Sequence, residues 1–174
     1  MKEFIKETII IDKNINKIFE LLYDKNEEIL ANILNLLEYK KGVWTDINKR
    51  VDMAKVIFDD LPDILAAQYF NNNKTFIIKA KTFITINTQY ERNIITKYKL
   101  KNDIILLKIA NILKLIKIKN IINLKYINHN QTAISIKTKI RMYDNALEEF
   151  GIVLYSKILE NTILELNKNH TCSM

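Results

Sequence analysis

A strict alternation over residues 132–142, followed at once by a helical period, constrains this chain more than any other feature. Ile134, Ile136, Thr138, Ile140 and Met142 fall on one side of the alternation, and Ser135, Lys137, Lys139 and Arg141 on the other. Side chains on a strand alternate faces, so the stretch predicts a strand that is apolar inside and basic outside. Residues 143–145 break the pattern, and Asp144 or Asn145 is suited to cap the next element. From Ala146 the period becomes helical: Leu147, Phe150, Leu154 and Ile158 form a stripe, widened by Ile152, Tyr155, Leu159, Ile163 and Leu166. A helix of this kind has to lie across an apolar surface, and the preceding strands supply one.

The rest of the chain sorts around that pair. Residues 2–11 are rich in β-branched side chains and predict a first strand. Asp12 or Asn14 then caps a helix with Ile15, Ile18, Phe19 and Leu22 on one face. Asn26 can cap a second helix carrying Ile29, Ile33, Leu36 and Leu37, with Gly42 just past its end. Residues 43–58, which include Trp44, predict two strands. Residues 59–62 predict a turn, 63–70 a short helix and 71–73 a loop. Two long strands follow. In 75–87, Phe76, Ile78, Ala80, Thr82, Ile84 and Ile86 face inward. In 89–101, Tyr90, Arg92, Ile94, Thr96, Tyr98 and Leu100 do so. Residues 103–115 are apolar on nearly every side and predict a short helix, with a buried strand as the competing reading. Residues 116–128 predict a strand with Ile118, Ile122, Leu124 and Tyr126 on its apolar face, and 128–130 a hairpin loop. With 2 Gly and 1 Pro in 174 residues, the turns fall largely to Asn and Asp. The length suits a single domain over residues 1–174.

Charge is concentrated where the strands are expected. Residues 74–142 hold 15 Lys and Arg against 2 Asp and Glu, within a chain of net charge +7. Lysine repeats on one face of three strands, as in an antiparallel sheet with one wet and one packed face. No apolar run approaches the roughly 18 residues of a membrane span. The charged N-terminus predicts no signal peptide. The lone Cys172 cannot form an intrachain disulfide, which fits a reducing, cytoplasmic setting.

The order is a strand, two helices, a run of antiparallel strands and one long C-terminal helix. It resembles the helix-grip fold of the START-like superfamily, which includes lipid-transfer domains, sterol-binding domains, pollen allergens and polyketide cyclases. Residues 7–12 (Glu-Thr-Ile-Ile-Ile-Asp), 18–24 (Ile-Phe-Glu-Leu-Leu-Tyr-Asp) and the closing 132–166 carry the resemblance. Trp44 ahead of Arg50 is similar to the sterol-binding branch, without assigning a subfamily. The resemblance implies an α+β architecture: a curved antiparallel sheet wrapped around the last helix, with two short helices after the first strand. It also implies an apolar cavity between sheet and helix that holds a lipid, sterol or other hydrophobic molecule.

The expected ligand contacts are Thr82, Tyr90, Arg92, Thr96, Tyr98 and Thr138 on the inner sheet face, and Phe150, Leu154, Tyr155 and Ile158 on the helix. Each also reads as ordinary core. A buried arginine needs a partner, so Arg92 either pairs with Glu148 or Glu149, sits at the sheet edge, or meets the ligand. Gly151, in mid-helix, suggests a close approach to the sheet or room for a guest. The outer face (Lys79, Lys81, Lys97, Lys99, Lys101, Lys137, Lys139 and Arg141) suits an anionic membrane surface, or is simply solvated. Nucleic acid is the weaker partner, since no aromatic residues are interleaved there to stack bases. His129 and His170 are too far apart in sequence to suggest a metal site, and no nucleophile–base pairing or phosphate loop is visible. No catalytic residue, metal or cofactor is therefore expected. Three functions stay open: a hydrophobic-ligand binder or carrier, a cyclase- or hydratase-type enzyme using Arg92, a tyrosine or a threonine, and a basic interaction module.

Overall fold

The computed structural model describes residues 2–102, 117–141 and 145–168. Among these, seven strands form one antiparallel sheet: β1 (Lys2–Ile11), β2 (Asn35–Lys40), β3 (Lys49–Ile57), β4 (Thr75–Asn87), β5 (Glu91–Asn102), β6 (Lys117–Asn128) and β7 (Gln131–Arg141). Their order is β1-β7-β6-β5-β4-β3-β2, so the first strand closes against the last and the others follow as a meander. Helix α1 (Ile15–Phe19) runs into a π-turn (Glu20–Asp24), followed by α2 (Asn26–Ile33), all between β1 and β2. Helix α3 (Asp63–Phe70) connects β3 to β4, and the 23-residue helix α4 (Asn145–Asn167) closes the chain.

The local causes are visible. Asn14 caps α1 by accepting the Lys17 backbone N–H at 2.8 Å. Asparagine makes the sharp turns: Asn48, Asn71 and Asn72 have positive φ, and Asn71 ends α3 in the left-handed region. Thr132, Ile134, Ile136, Thr138 and Ile140 of β7 are buried without exception, while the residues between them are partly exposed. One core cluster joins the sheet to α1, the π-turn and α4 through Ile18, Leu21, Ile94, Leu124, Leu159 and Leu166. A second joins β3 and β4 to α3 through Val56, Phe58, Leu65, Phe70 and Phe76.

Three expectations need correction. The second helix stops at Ile33; Leu34 is extended, and Leu36 and Leu37 belong to strand β2. A β-bulge between Leu36 and Glu38 leaves the two partly buried residues of β2, Leu36 and Tyr39, three apart, a spacing that imitates a helix. Gly42 therefore follows a strand, not a helix, and Asn26 is the first residue of α2 rather than its cap. Residues 43–58 hold one strand, β3, not two. Residues 45–48 are a turn, in which the Asn48 N–H donates to the Thr45 carbonyl at 3.0 Å. A bulge between Ile84 and Ile86 turns Ile86 outward, where it is exposed. The element expected at 103–115, Met142, the capping Asp144, His170 and Cys172 lie outside the described residues, as do the side chains of Lys101, Leu147 and Leu154.

Candidate functional site

The sheet and α4 enclose a cavity of about 260 Å³, just under the roughly 300–1,000 Å³ usual for small-ligand pockets. Its walls are mostly aliphatic. Leu22, Ile29 and Leu30 come from the π-turn and α2; Ile78, Ala80, Leu100, Ile118, Ile122 and Ile136 from the sheet; Phe150, Gly151, Ile158 and Leu159 from α4. A second concavity, between the β1–α1 turn and the β6–β7 hairpin, is wide open and lined by charged and amide side chains such as Asp12, Lys17 and Gln131.

A polar row crosses the inner face of the sheet. Arg50 lies opposite Thr82, Thr82 opposite Thr96, Thr96 opposite Asn120, and Asn120 opposite Thr138. All five are buried. The rows on either side are largely apolar: Ile84, Ile94, Ile122 and Ile136 on one, Ala80, Tyr98, Ile118 and Ile140 on the other. Buried polar atoms must find partners, and here they find one another. The Thr82 and Thr96 hydroxyls are 3.1 Å apart, and the Thr138 hydroxyl donates to Asn120 Oδ1 at 3.2 Å. Three phenols converge on the same row: Tyr23 on Thr96, Tyr98 on Asn120, and Tyr155 on Thr138 and Asn120. Burial pushes the Tyr98 phenol up to about 12, and raises Tyr23 and Tyr155 further.

The row ends at an ion pair. Arg50, 1% exposed, donates from Nε and Nη2 to Asp52 Oδ2 at 3.0 and 2.8 Å, and from Nη2 to the Tyr23 carbonyl at 2.5 Å. The Gly42 N–H donates to Asp52 Oδ1 at 2.6 Å. Trp44 covers the guanidinium at 5.1 Å and packs on Phe19 and Tyr23. The π-turn, in which the Lys25 N–H reaches the Glu20 carbonyl, places Tyr23 at this junction. Asp52 borders the cavity with its charge already neutralised. Beside it, Asn26 Nδ2 donates to the Tyr39 hydroxyl at 2.6 Å, which leaves Asn26 Oδ1 buried and without a hydrogen bond. Burial, with Asp52 nearby, pushes the Tyr39 phenol up to about 12.

The structure brings together Thr82, Thr96, Tyr98, Phe150, Tyr155 and Ile158 on the cavity wall, with Thr138 directly behind Asn120 and Tyr155. Tyr90 is elsewhere: it precedes β5, is 61% exposed, and packs edge-on against Tyr126. Arg92 also misses the cavity. At the far end of β5 it donates to Asn16 Oδ1 at 2.7 Å and lies 4.4 Å over the Phe19 ring, so neither Glu148 nor Glu149 is its partner. The inward arginine is Arg50 instead. Arg50, Asp52, Asn26, Tyr39 and Asn120 were not among the expected ligand contacts. The signal for two of them was there, since Arg50, Asp52, Ala54 and Val56 alternate onto one face. Among the described residues no group of three or more His, Cys, Asp or Glu is placed to hold a metal ion. Nor is any described helix long and apolar enough to cross a membrane.

No protein-family model and no curated protein matches the chain. Solved structures do. A START superfamily protein from Mycobacterium smegmatis aligns over 95% of both chains at 8% identity, with a TM-score of 0.59. Human STARD10 aligns over 92% of this chain and 62% of its own, at 10% identity and a TM-score of 0.57. The Zhui aromatase/cyclase from a Streptomyces species aligns over 94% and 88%, at 8% identity and 0.53. Identities this low show the fold alone: the chain has the START-like helix-grip fold, and the sheet grips α4 as that fold requires.

Proposed function

We propose that the chain binds a neutral hydrophobic small molecule between the sheet and α4, as a binder or carrier rather than as an enzyme. The observation that carries this reading is the cavity lining: an aliphatic wall crossed by one row of buried, mutually hydrogen-bonded polar side chains. Among the described lining residues the one charged group is Asp52, and Arg50 already pairs with it. A carboxylate or phosphate drawn inside would be desolvated with no cation to meet it, which is costly. A neutral guest with a hydroxyl group would instead donate to the open Asn26 Oδ1. The volume suits a single chain or a compact ring system rather than two long acyl chains.

The aromatase/cyclase neighbour raises a second reading, an enzyme whose phenols act as acids. The tyrosines weigh against it. General acids work best with a pKa near the operating pH, and burial moves these phenols the other way.

The test is a binding titration with a fluorescent sterol, a single-chain fatty alcohol, the matching fatty acid and phosphatidylcholine, alongside native mass spectrometry of the purified protein. The sterol or the alcohol should saturate at one site, and the fatty acid should bind at least tenfold more weakly. Gly151→Phe, which places a ring at the cavity wall, should abolish binding while the protein remains folded by circular dichroism. Equal or tighter binding of the fatty acid, or no binding of any probe and no co-purifying molecule, would overturn the reading.

A further inference from the structure

The outer face of the sheet carries an arrangement that the cavity does not use. Antiparallel register places Lys81 opposite Lys97, Lys97 opposite Lys119, and Lys119 opposite Lys139. Four ammonium groups thus line up across four adjacent strands, within roughly 15 Å at normal strand spacing. Two residues along, Lys79 lies opposite Lys99, with Met53 and Lys40 continuing that row towards β2. Like charges directly opposite one another destabilise a sheet pair. None of Lys79, Lys81, Lys99, Lys119 and Lys139 forms an ion pair among the described residues, and Lys97 is placed over a phenyl ring instead. On β1, Glu3 stands opposite Lys139 at the end of the first row. Both core clusters lie on the inner face, so no described helix packs against these lysines.

The row on the other side of Lys81, Lys97 and Lys119 is apolar. Phe83 lies opposite Ile95, and Ile95 opposite Ile121; all three are partly exposed. The Lys97 ammonium sits 5.7 Å from the Phe83 ring centre, which ties the two rows to one surface. An apolar strip beside two cationic rows is an amphipathic sheet face.

We propose that this face docks onto an anionic membrane surface. The lysines would meet lipid phosphates and serine carboxylates while their methylene stems, with Phe83, Ile95 and Ile121, lie at the headgroup boundary. The apolar strip favours a bilayer over nucleic acid: a polynucleotide backbone offers it nothing to bury against, and Phe83 is the lone aromatic in these rows for stacking. Docked this way, the cavity is on the far side of the sheet from the bilayer. Membrane attachment and ligand loading then become separable properties.

Co-sedimentation of the full chain with phosphatidylcholine vesicles, with and without phosphatidylserine, tests the proposal. Binding should require phosphatidylserine and fall steeply as salt rises. Each lysine near an anionic leaflet changes partitioning by about fivefold, so Lys97→Glu with Lys119→Glu should weaken it by at least roughly 25-fold. Lys25→Glu with Lys157→Glu changes the net charge equally, away from this face, and should act far less. Phe83→Ser should weaken binding at every salt concentration. Equal binding to pure phosphatidylcholine vesicles would overturn the proposal, and so would equal effects of the two charge-reversed variants. Tighter binding to single-stranded RNA or duplex DNA than to the phosphatidylserine vesicles would also sink it. The outer-face variants should titrate the neutral ligand normally, so a failure here is distinct from a failure of the cavity reading.

Discussion

Arg50 concentrates the energetics of single residues. It is a fully buried cation whose hydrogen bonds go to Asp52 and to the Tyr23 carbonyl. Removing one member of such a pair leaves the other charge buried and uncompensated, at a cost of roughly 3–5 kcal/mol. Arg50→Ala should therefore unfold at much lower urea, while Arg50→Met with Asp52→Leu should recover most of the loss; equal denaturation midpoints for the two variants would contradict the assignment. The phenols give a pH signature. Tyr23, Tyr39, Tyr98 and Tyr155 hold their protons more tightly when folded than at the ordinary value of 10. Between pH 10 and about 12 the folded state binds more protons than the unfolded one, so stability falls as pH rises. Below pH 10 these groups contribute no slope. Denaturation midpoints should drop steeply above pH 10, and less steeply in Tyr98→Phe. At this scale the sequence was only partly legible. Alternation placed Thr82, Thr96, Tyr98 and Thr138 on the inner face. It could not say that β5 begins at Glu91, which leaves Tyr90 outside the strand, or that the strand end carries Arg92 past the cavity.

Elements were legible where one period held and misread where a helical period ran on into the next strand. Strands β6 and β7 and helices α1 and α4 follow their hydrophobic periods closely, as does β4 up to its bulge after Ile84. The start of strand β2 reads as helix because Leu36 and Leu37 fall three and four residues after Ile33, and periodicity alone carries the α2 face across them. Gly42 was then given the wrong task. It does not end a helix; it lets the chain leaving β2 pass close to β3. A Cβ there would lie 2.2 Å from the Val51 carbonyl oxygen, a contact that backbone cannot yield cheaply. The same glycine delivers its N–H to Asp52. Gly42→Ala should therefore cost more than the usual overpacking of roughly 1–3 kcal/mol, because the shift also loosens the carboxylate that holds Arg50. Chemical denaturation checks this, and a loss under about 0.5 kcal/mol, the range of ordinary surface changes, would refute the close approach.

At the scale of the whole molecule, the fold leaves space where a close-packed core would leave almost none. A sheet gripping a long helix was legible from strand order and from the closing strand–helix pair. The cavity was not, because its size depends on how Ala80, Gly151 and the ring of Tyr155 leave room, and no local pattern encodes that difference. Ala80 tests it directly. It lies between Asp52 and Tyr98 in register and borders the cavity. In a filled core, Ala80→Leu would force its neighbours apart and cost roughly 1–3 kcal/mol. Here the added methylenes enter empty space, at about 0.8 kcal/mol of favourable burial each. The ligand-free variant should melt a few degrees above the parent, since 1 kcal/mol corresponds to about 2–4 °C at this size. The parent should also gain stability from a saturating neutral ligand, by about 2.7 kcal/mol at a hundredfold excess over Kd. Ala80→Leu should lose that gain, because its side chain occupies the ligand's place. Thermal scans of both proteins with and without ligand therefore make a cycle in which the cavity and its guest are the same term. A variant that melts lower than the parent yet keeps the ligand-induced shift would place the guest elsewhere.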